Sequence, residues 1–353
     1  MSLIDKLKKN STIDDTAVLA VSKFFNKKEM IQTPVPILNV ALSGSLTGGL
    51  TPGLTVFAGP SKHFKTAFAL MLAKSYLDKY EDAVVLFYDS EFGSPQSYFV
   101  SFGIDPQRVV HTPITDIEQL KHDSMAQLQD INRGDHVIII VDSVGNLASK
   151  KEVEDAIEGK SVADMSRAKQ MKSLFRMVTP HLTIKDIPMV VVNHTYKEIG
   201  LYPKDVVSGG TGVYYSADNI YIIGRQQEKD GTELTGYNFI INVEKSRYVR
   251  EKSKLAVEVS FEGGISKWSG LLDVAEQLGY IRKPKVGWYE AINPESGEVL
   301  TESLLRAKQI NEDGQFWSML LEKTNFANAV KDRFAVGGTP LMAEQQVEET
   351  VQE

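Results

Sequence analysis

The chain has 353 residues, of which 42% are hydrophobic and 24% charged, with a formal net charge of −7 and no cysteine. This length allows one large α/β domain with smaller terminal modules, and the composition is that of an ordinary soluble globular protein. We expect neither a membrane protein nor an exported one, since no apolar run or signal stretch supports either, and disulfides and thiolate zinc sites are excluded.

The negative net charge does not exclude a nucleic-acid partner, because the charges are unevenly distributed. Residues 343–353 contain four Glu and no Lys or Arg, whereas the stretches near 150–176 and 245–254 are rich in Lys and Arg. Contacts with phosphates require clustered Lys and Arg side chains, and they do not require a positive net charge of the whole chain.

Alternating strands and helices dominate the chain after an N-terminal arm. Residues 3–30 predict one or two short helices, which end before Pro34 and Pro36. Apolar runs and helical periodicity then alternate, which predicts an α/β fold with a mostly parallel, twisted sheet and helices on both faces. The predicted strands are 54–58, 83–88, 108–111, 137–141 and 189–192, and the predicted helices are 65–80, 95–102, 115–132 and 161–184.

Three further strands and a smaller module follow. The strands are predicted at 219–223, 237–243 and 255–260, after a polar, glycine-rich loop. The predicted division of the chain is an N-terminal arm at 1–32, a core at 33–267, a small C-terminal α/β module at 268–335 and an acidic disordered tail at 336–353.

A phosphate-binding loop is predicted at Gly59-Pro60-Ser61-Lys62-His63-Phe64-Lys65-Thr66, which follows an apolar strand and opens a helix. Backbone N–H groups would face the phosphates of ATP, Lys65 would contact the β- and γ-phosphates, and the Thr66 hydroxyl would bind Mg²⁺. Phe64 stands where the usual motif has its second Gly. On this octapeptide alone, a surface turn with a chance Lys-Thr pair is an equal alternative.

Two carboxylates at strand ends favour the nucleotide interpretation. Asp142 directly follows the buried strand 137–141, at a position where this architecture holds the water ligands of Mg²⁺. Glu91 follows the strand 83–88, where a carboxylate can polarise the water that attacks the γ-phosphate. The alternative for each is an acid that caps the next helix.

Together these motifs resemble the RecA-class recombinase core, a RecA-like P-loop ATPase, and more closely the UvsX recombinases of large tailed phages. The resemblance runs over nearly the whole chain and rests on an ordered set of segments. These are Ser-Lys-Phe-Phe at 22–25, the phosphate loop at 59–66, Leu-Phe-Tyr-Asp-Ser-Glu-Phe-Gly at 86–93, Asp-Ser-Val-Gly-Asn-Leu-Ala-Ser-Lys-Lys at 142–151, Val-Asn-His-Thr at 192–195 and Asn-Val-Glu-Lys-Ser-Arg at 242–247.

The resemblance implies roles for five side chains at the nucleotide. Glu91 would be the catalytic base, Tyr98 would stack on the adenine, and His194 would sense the γ-phosphate. Lys245 and Arg247 would reach the ATP of the neighbouring subunit and stabilise transition-state charge. Read without the resemblance, Tyr98 is a core-facing helix residue, His194 a structural strand-end residue, and the two cations a solvated strand face.

Two stretches resemble mobile DNA-binding loops. The first, about 154–163, precedes a helix on which Lys169, Lys172 and Arg176 lie close to one face; the alternative is a solvated amphipathic helix. The second, about 195–214, contains Gly209-Gly210-Thr211, where glycines let backbone N–H groups approach a DNA phosphate. Apolar residues of this second loop, such as Ile199 and Leu201, would wedge between bases.

The N-terminal arm is expected to link subunits. Phe24 and Phe25 would pack on the next subunit, and such a head-to-tail contact repeats without closing, so it builds a helical filament. The alternative is an intramolecular helix. The acidic tail is expected to compete with DNA for the basic surface.

The implied function is ATP-dependent homologous pairing and strand exchange by filaments on single-stranded DNA, with ATP and Mg²⁺ as cofactors. Implied partners are single- and double-stranded DNA, further copies of the chain, and single-strand-binding and loading proteins of the same phage, in the cytoplasm of the infected bacterial host and without a membrane. The alternatives are a hexameric helicase with the same core, for which a roughly 30-residue arm is short, and a non-catalytic ATP-binding mediator. The non-catalytic mediator is disfavoured because the chain has the residues expected for ATP hydrolysis, which are Lys65, Thr66, Glu91 and Asp142.

Overall fold

The structure is a computed structural model that describes residues 1–24, 29–160, 166–198, 200 and 203–337. Phe25, Ile199 and Leu201, for which the sequence predicts partner or DNA contacts, lie outside these residues, as does the acidic segment 338–353. Within the described ranges, no helix has the length and apolar character needed to cross a membrane.

One large sheet organises the fold. The described strands are β1 (Gly53–Ala58), β2 (Val84–Asp89), β3 (Val109–Pro113), β4 (Val137–Asp142), β5 (Pro188–Asn193), β6 (Thr195–Lys197), β7 (Asp205–Val207), β8 (Asn219–Asp230), β9 (Glu233–Ser246), β10 (Lys254–Ser260), β11 (Gly264–Ile265), β12 (Ile281–Lys285) and β13 (Trp288–Ala291). The large sheet has the order β11-β10-β9-β8-β1-β5-β4-β2-β3. The strands from β8 to β3 pair in parallel, and β8 to β11 pair antiparallel. The expected mostly parallel sheet is confirmed.

Helices cover both faces of this sheet. The described α-helices are α1 (Leu3–Asn10), α2 (Pro36–Ser43), α3 (Lys65–Lys79), α4 (Gln96–Ser101), α5 (Ile117–Asp130), α6 (Lys150–Ile157), α7 (Ser166–Lys185), α8 (Thr211–Ser216), α9 (Leu271–Gln277), α10 (Ala307–Glu312), α11 (Gly314–Lys323) and α12 (Phe326–Phe334). The apolar residues of α3 and of the C-terminal helices form one core, and those of α5, α7 and α8 form a second core on the opposite face. Strands β1, β4 and β5 are buried throughout, and they are almost continuously apolar, as expected of strands covered on both faces.

The parallel order brings distant chain segments to one edge. Ala58 of β1 lies opposite Asn193 of β5, and Asp89 of β2 lies opposite Asp142 of β4. The carboxyl ends of four strands therefore meet where the phosphate loop begins, which is where open α/β sheets bind ligands.

Some local structure differs from the sequence predictions. Helix α2, which was not predicted, is buried and opens at Pro36, because the missing N–H of proline is tolerated at the first helical position. Residues 154–157 of the first predicted loop belong to α6, and the second predicted loop contains the hairpin β6–β7 and then α8.

Strands β8 and β9 also extend beyond their predicted ends, to Asp230 and from Glu233. The residues of β8 from Arg225 onward are exposed and polar, so no apolar alternation marks this part as a strand.

The N-terminal arm and the C-terminal module differ in how their described residues pack. All residues of α1 are exposed, including the apolar Leu3, Ile4 and Leu7. Phe24, at the end of the arm, lies 5.3 Å below the guanidinium of Arg133 in the same chain. In the C-terminal module, Trp317 is fully buried, and its indole N–H donates to the Ile310 carbonyl at 2.9 Å.

Candidate nucleotide site and neighbouring basic surface

The predicted phosphate loop joins β1 to α3. Pro60, Ser61 and Lys62 are exposed, and His63 Nδ1 lies 2.9 Å from the Ser61 carbonyl. A Cβ at Gly59 would lie 2.9 Å from the backbone oxygen of Ile223 in β8, so only glycine allows this approach. The loop ends at the N-terminus of α3, where free N–H groups and the helix dipole favour an anion.

Lys65 turns back over this loop. Its ammonium donates to the Pro60 carbonyl at 2.8 Å, and the residue is only 6% exposed. Burial lowers the pKa of Lys65, while the nearby carboxylates of Glu91 and Asp142 act in the opposite direction. The arrangement holds a cation inside the loop, facing the two carboxylates.

Thr66 and Asp142 form the candidate Mg²⁺ ligands. The Thr66 hydroxyl donates to Asp142 Oδ2 at 2.8 Å, and Asp142 is 3% exposed. Its second oxygen, Oδ1, is buried and has no hydrogen-bond partner among the described residues. Burial raises the pKa of Asp142 to about 6, with the charge of Glu91 adding to the effect. An unpartnered buried oxygen beside a hydroxyl fits a hard cation, which prefers oxygen ligands.

The described residues contain no group of three or more His, Asp or Glu side chains arranged to hold a metal.

Three donors surround the Glu91 carboxylate. Its Oε1 accepts from Ser143 Oγ at 2.5 Å and from Asn146 Nδ2 at 3.1 Å, and it lies 2.9 Å from His194 Nε2. The hydrogen bond from His194 is the largest cause of a lowered Glu91 pKa, and that from Ser143 acts in the same direction. Glu91 is therefore held as a carboxylate, the form that accepts a proton.

Sequence reasoning gave no role to Ser143, Asn146 or Gly145. All three closely follow Asp142 in the segment 142–151. Their position just after a strand that ends at the site was the feature of the sequence that could have indicated a role. A Cβ at Gly145 would lie 2.4 Å from the His194 ring, so this glycine makes room for the ring to reach Glu91. The Asp142–Ser143 peptide bond is cis, and Ser90 Oγ accepts from the Ser143 N–H at 3.0 Å.

Tyr98 does not join this network. It lies on α4, half-buried, with its ring edge-on to Phe102 at 5.4 Å and packed against the core on the α3 side. Stacking of Tyr98 on adenine stays a prediction.

Lys245 and Arg247 lie at the end of β9 and just beyond it, and neither contacts Glu91 of its own chain. The Lys245 ammonium donates to the Tyr214 carbonyl at 2.7 Å, and Arg247 pairs with Asp218 at 2.5 Å. Their predicted reach to a neighbouring subunit stays a prediction.

The two predicted DNA-binding sets lie beside each other where α8 packs on α7; Gly210 is exposed, whereas Gly209 is buried. Lys169, Lys172 and Arg176 are exposed along α7. Gly209-Gly210-Thr211 lead into α8, which packs so closely on α7 that a Cβ at Gly212 would lie 2.7 Å from Lys172 Cα. Gly209 and Gly210 have φ of 95° and 72°, which favour glycine. Backbone N–H groups and side-chain cations are thus adjacent.

Arg167, which also lies on α7, stabilises the structure around the candidate nucleotide site. Its guanidinium donates to the carbonyls of Leu147, Gly145 and Val144, at 2.8, 2.7 and 3.2 Å. It therefore ties α7 to the loop that carries Ser143 and Asn146.

Comparison with known proteins agrees with this geometry. Residues 5–266 match the family model of the RecA N-terminal domain, and residues 268–330 match that of the C-terminal domain of the phage T4 recombination and repair protein. The chain is 50% identical to the "Recombination and repair protein" of Enterobacteria phage T4, over 95% of this chain and 86% of that protein.

Bacterial proteins named "Protein RecA" are more distant. Identity is 25% with that of Kineococcus radiotolerans, over 96% of both chains, and 24% with that of a Nocardioides species, over 78% of this chain and 80% of the relative. Since the matched model covers most of the chain and the phage relative shares half of its residues, the chain belongs to the RecA family of recombinases, in the branch that has the C-terminal domain of the phage T4 protein.

Proposed function

We propose that this chain is an ATP-dependent recombinase that forms helical filaments on single-stranded DNA and carries out homologous pairing and strand exchange. The observation that carries the proposal is the contact network at the carboxyl ends of the parallel strands, where Lys65, Thr66, Glu91, Asp142 and His194 come together. The family membership and the printed name of the phage T4 relative support the same function.

ATP hydrolysis would use the residues of this network. The α- and β-phosphates of ATP would lie on the N–H groups of the loop and of α3, and Lys65 would leave the Pro60 carbonyl to contact the β- and γ-phosphates. Glu91, held ionised by its three donors, would accept the proton of the attacking water. His194, in contact with Glu91, would sense the γ-phosphate. When bound, Mg²⁺ would be held by Thr66 and, through water, by Asp142, and would neutralise phosphate charge.

A short backbone path links this site to the proposed DNA surface. His194 directly follows β5, and its carbonyl accepts from the Ser208 N–H at 2.9 Å. Asn193 Nδ2 donates to the Ser208 carbonyl at 2.8 Å. Ser208 directly precedes Gly209, so a displacement of His194 by nucleotide would be passed to the glycines that would contact DNA phosphates.

The proposed partners follow from these surfaces. Single- and double-stranded DNA would bind the cations of α7 and the N–H groups near Gly209. Further copies of the chain would contribute Lys245 and Arg247 across each subunit boundary, placing ATP between subunits. The relationship to the phage T4 protein supports action inside an infected bacterium beside single-strand-binding and loading proteins of the same phage.

The test is ATP hydrolysis with and without single-stranded DNA, followed by a strand-exchange assay. Wild type is compared with Lys65→Ala, Glu91→Gln and the control Glu262→Gln, an exposed acid on the β10–β11 turn. We expect DNA-stimulated turnover that is lost in the first two variants and retained in the control, with Glu91→Gln still binding DNA.

Other outcomes of these assays would support one of the two alternative functions, a helicase or a mediator. Processive unwinding without pairing of homologous DNA would indicate a helicase. Nucleotide binding without turnover in the wild type would indicate a mediator, and turnover that survives Glu91→Gln would overturn the assignment of the base.

A further inference from the structure

The phosphate loop contains two residues in a conformation that favours glycine. Lys62 has φ of 61° and Phe64 has φ of 62°, and neither is glycine. For side chains with a Cβ, this left-handed region is strained unless surrounding contacts hold it. Phe64 stands at the position that is glycine in the usual motif and is the residue before α3.

The Phe64 ring is held by strand β9. It stacks on Phe239, with ring centroids 4.7 Å apart and planes at 15°, and it meets Phe68 of α3 edge-on at 5.4 Å. Phe239 is only 4% exposed. A buried ring of the sheet thus fixes the side chain of the residue that orients the first turn of α3.

The Lys62 backbone is held by strand β8. Arg225 Nη1 donates to the Lys62 carbonyl at 3.2 Å, and the guanidinium lies 4.7 Å from the centroid of the Tyr237 ring. Arg225 is directly opposite Phe239 in the β8–β9 pairing. The two strained loop residues are therefore held by two facing residues of one hairpin.

We propose that Phe239 and Arg225 are positioning residues for the phosphate loop, which hold it in its nucleotide-binding shape in place of the usual glycine. The inference rests on the proposed binding of ATP at this loop. Strand β9 also carries Lys245 near its C-terminal end, so the same strand that supports the loop of one subunit would present a cation to the next.

A double-mutant cycle tests the aromatic contact. The dissociation constant of a fluorescent ATP analogue is measured in Mg²⁺ for wild type, Phe239→Leu, Phe64→Gly and the double variant. We expect Phe239→Leu to weaken binding about three- to tenfold, the range of a lost aromatic pair. In the Phe64→Gly background the same change should alter binding less than about twofold, since no ring remains to be held. Equal effects in both backgrounds would overturn the proposal.

Two controls separate positioning from general damage. Phe316→Leu removes a ring that is likewise 4% exposed but lies in the C-terminal module, and it should lower the melting temperature without changing the dissociation constant. If Phe239→Leu does not fold, variants of the exposed Arg225 provide the test. Arg225→Lys keeps the charge but loses the contact of the guanidinium with the Tyr237 ring. We expect Arg225→Lys to weaken binding as much as Arg225→Gln, and wild-type affinity in Arg225→Lys would refute the role of Arg225.

Lys65→Ala distinguishes failure of this inference from failure of the proposed function. If the wild type does not bind the analogue, or if Lys65→Ala binds as wild type does, the proposed ATP site itself is wrong. If binding depends on Lys65 but the effects of Phe239→Leu and Phe64→Gly simply add, the ATP site is correct and only the positioning role of Phe239 is wrong.

Discussion

Replacing Asp142 by Asn tests whether a carboxylate is kept buried for a cation at the expense of folding stability. Burial raises the pKa of Asp142 from its ordinary value of 3.8 to about 6. One pKa unit corresponds to about 1.4 kcal/mol, so the ionised form destabilises the folded chain by about 3 kcal/mol without nucleotide and metal. The amide of Asn carries no charge and has no such titration.

The sign of the pH dependence follows from which state ionises first. Below pH 3.8 the carboxyl is protonated in the folded and the unfolded chain, and the penalty is absent. As the pH rises, the unfolded chain ionises first, so unfolding becomes easier until the folded carboxyl also ionises near pH 6. Between about pH 4.5 and about pH 7.5, the free energy of unfolding of wild type should therefore fall by about 2 kcal/mol relative to Asp142→Asn.

The assay is chemical denaturation across this pH range in a chelator and without nucleotide. The new amide N–H of Asn lies where Oδ1 has no partner, so it adds a pH-independent cost of about 1–3 kcal/mol. The test is therefore how the difference in free energy of unfolding between wild type and Asp142→Asn changes with pH, and not its absolute value. A difference that stays constant with pH would refute the reasoning. Added Mg²⁺ and ATP should stabilise wild type more than the variant, because the carboxylate then has its cation.

Three further predictions concern catalysis, DNA and the core. Ser143→Ala removes one donor from Glu91, so the pKa of Glu91 should rise and the acidic limb of ATP turnover should move to higher pH; an unmoved limb would contradict the role of Ser143. Lys172→Gln should weaken DNA binding and reduce the slope of log affinity against log salt by about one, whereas Lys308→Gln in the C-terminal module should leave the slope unchanged. Equal slopes for both variants would remove Lys172 from the DNA surface. Trp317→Ala should lower the free energy of unfolding by about 3–5 kcal/mol, measured by denaturant titration, and a loss below about 1 kcal/mol would show that the module relaxes around the cavity.

The local sequence was sufficient to predict those elements whose pattern of apolar residues is determined by burial alone. Strands β1, β4 and β5 are covered on both faces, so their apolar runs reveal them directly. The phosphate loop and the strand-end residue Asp142 could be predicted because parallel strands place their carboxyl ends at one edge, whatever the strand order.

Other elements had no local pattern to reveal them. Helix α2 begins at a proline that by itself suggests interruption, and its helical conformation is stabilised by burial against the sheet. The polar part of β8 is a strand because β9 pairs with it, and backbone pairing leaves no mark in side-chain hydropathy.

The sequence by itself determined the chemical types at the candidate site: a phosphate loop with Lys65 and Thr66, and carboxylates at 91 and 142 that follow apolar strands. Only the tertiary structure decided that Glu91 is held by Ser143 and His194, which are 52 and 103 residues away along the chain. The tertiary structure alone also placed Phe239 on Phe64. The physical reason is that hydrogen bonds and ring stacking act over a few ångströms, so the order and register of the strands, and not distance along the chain, decide which side chains meet.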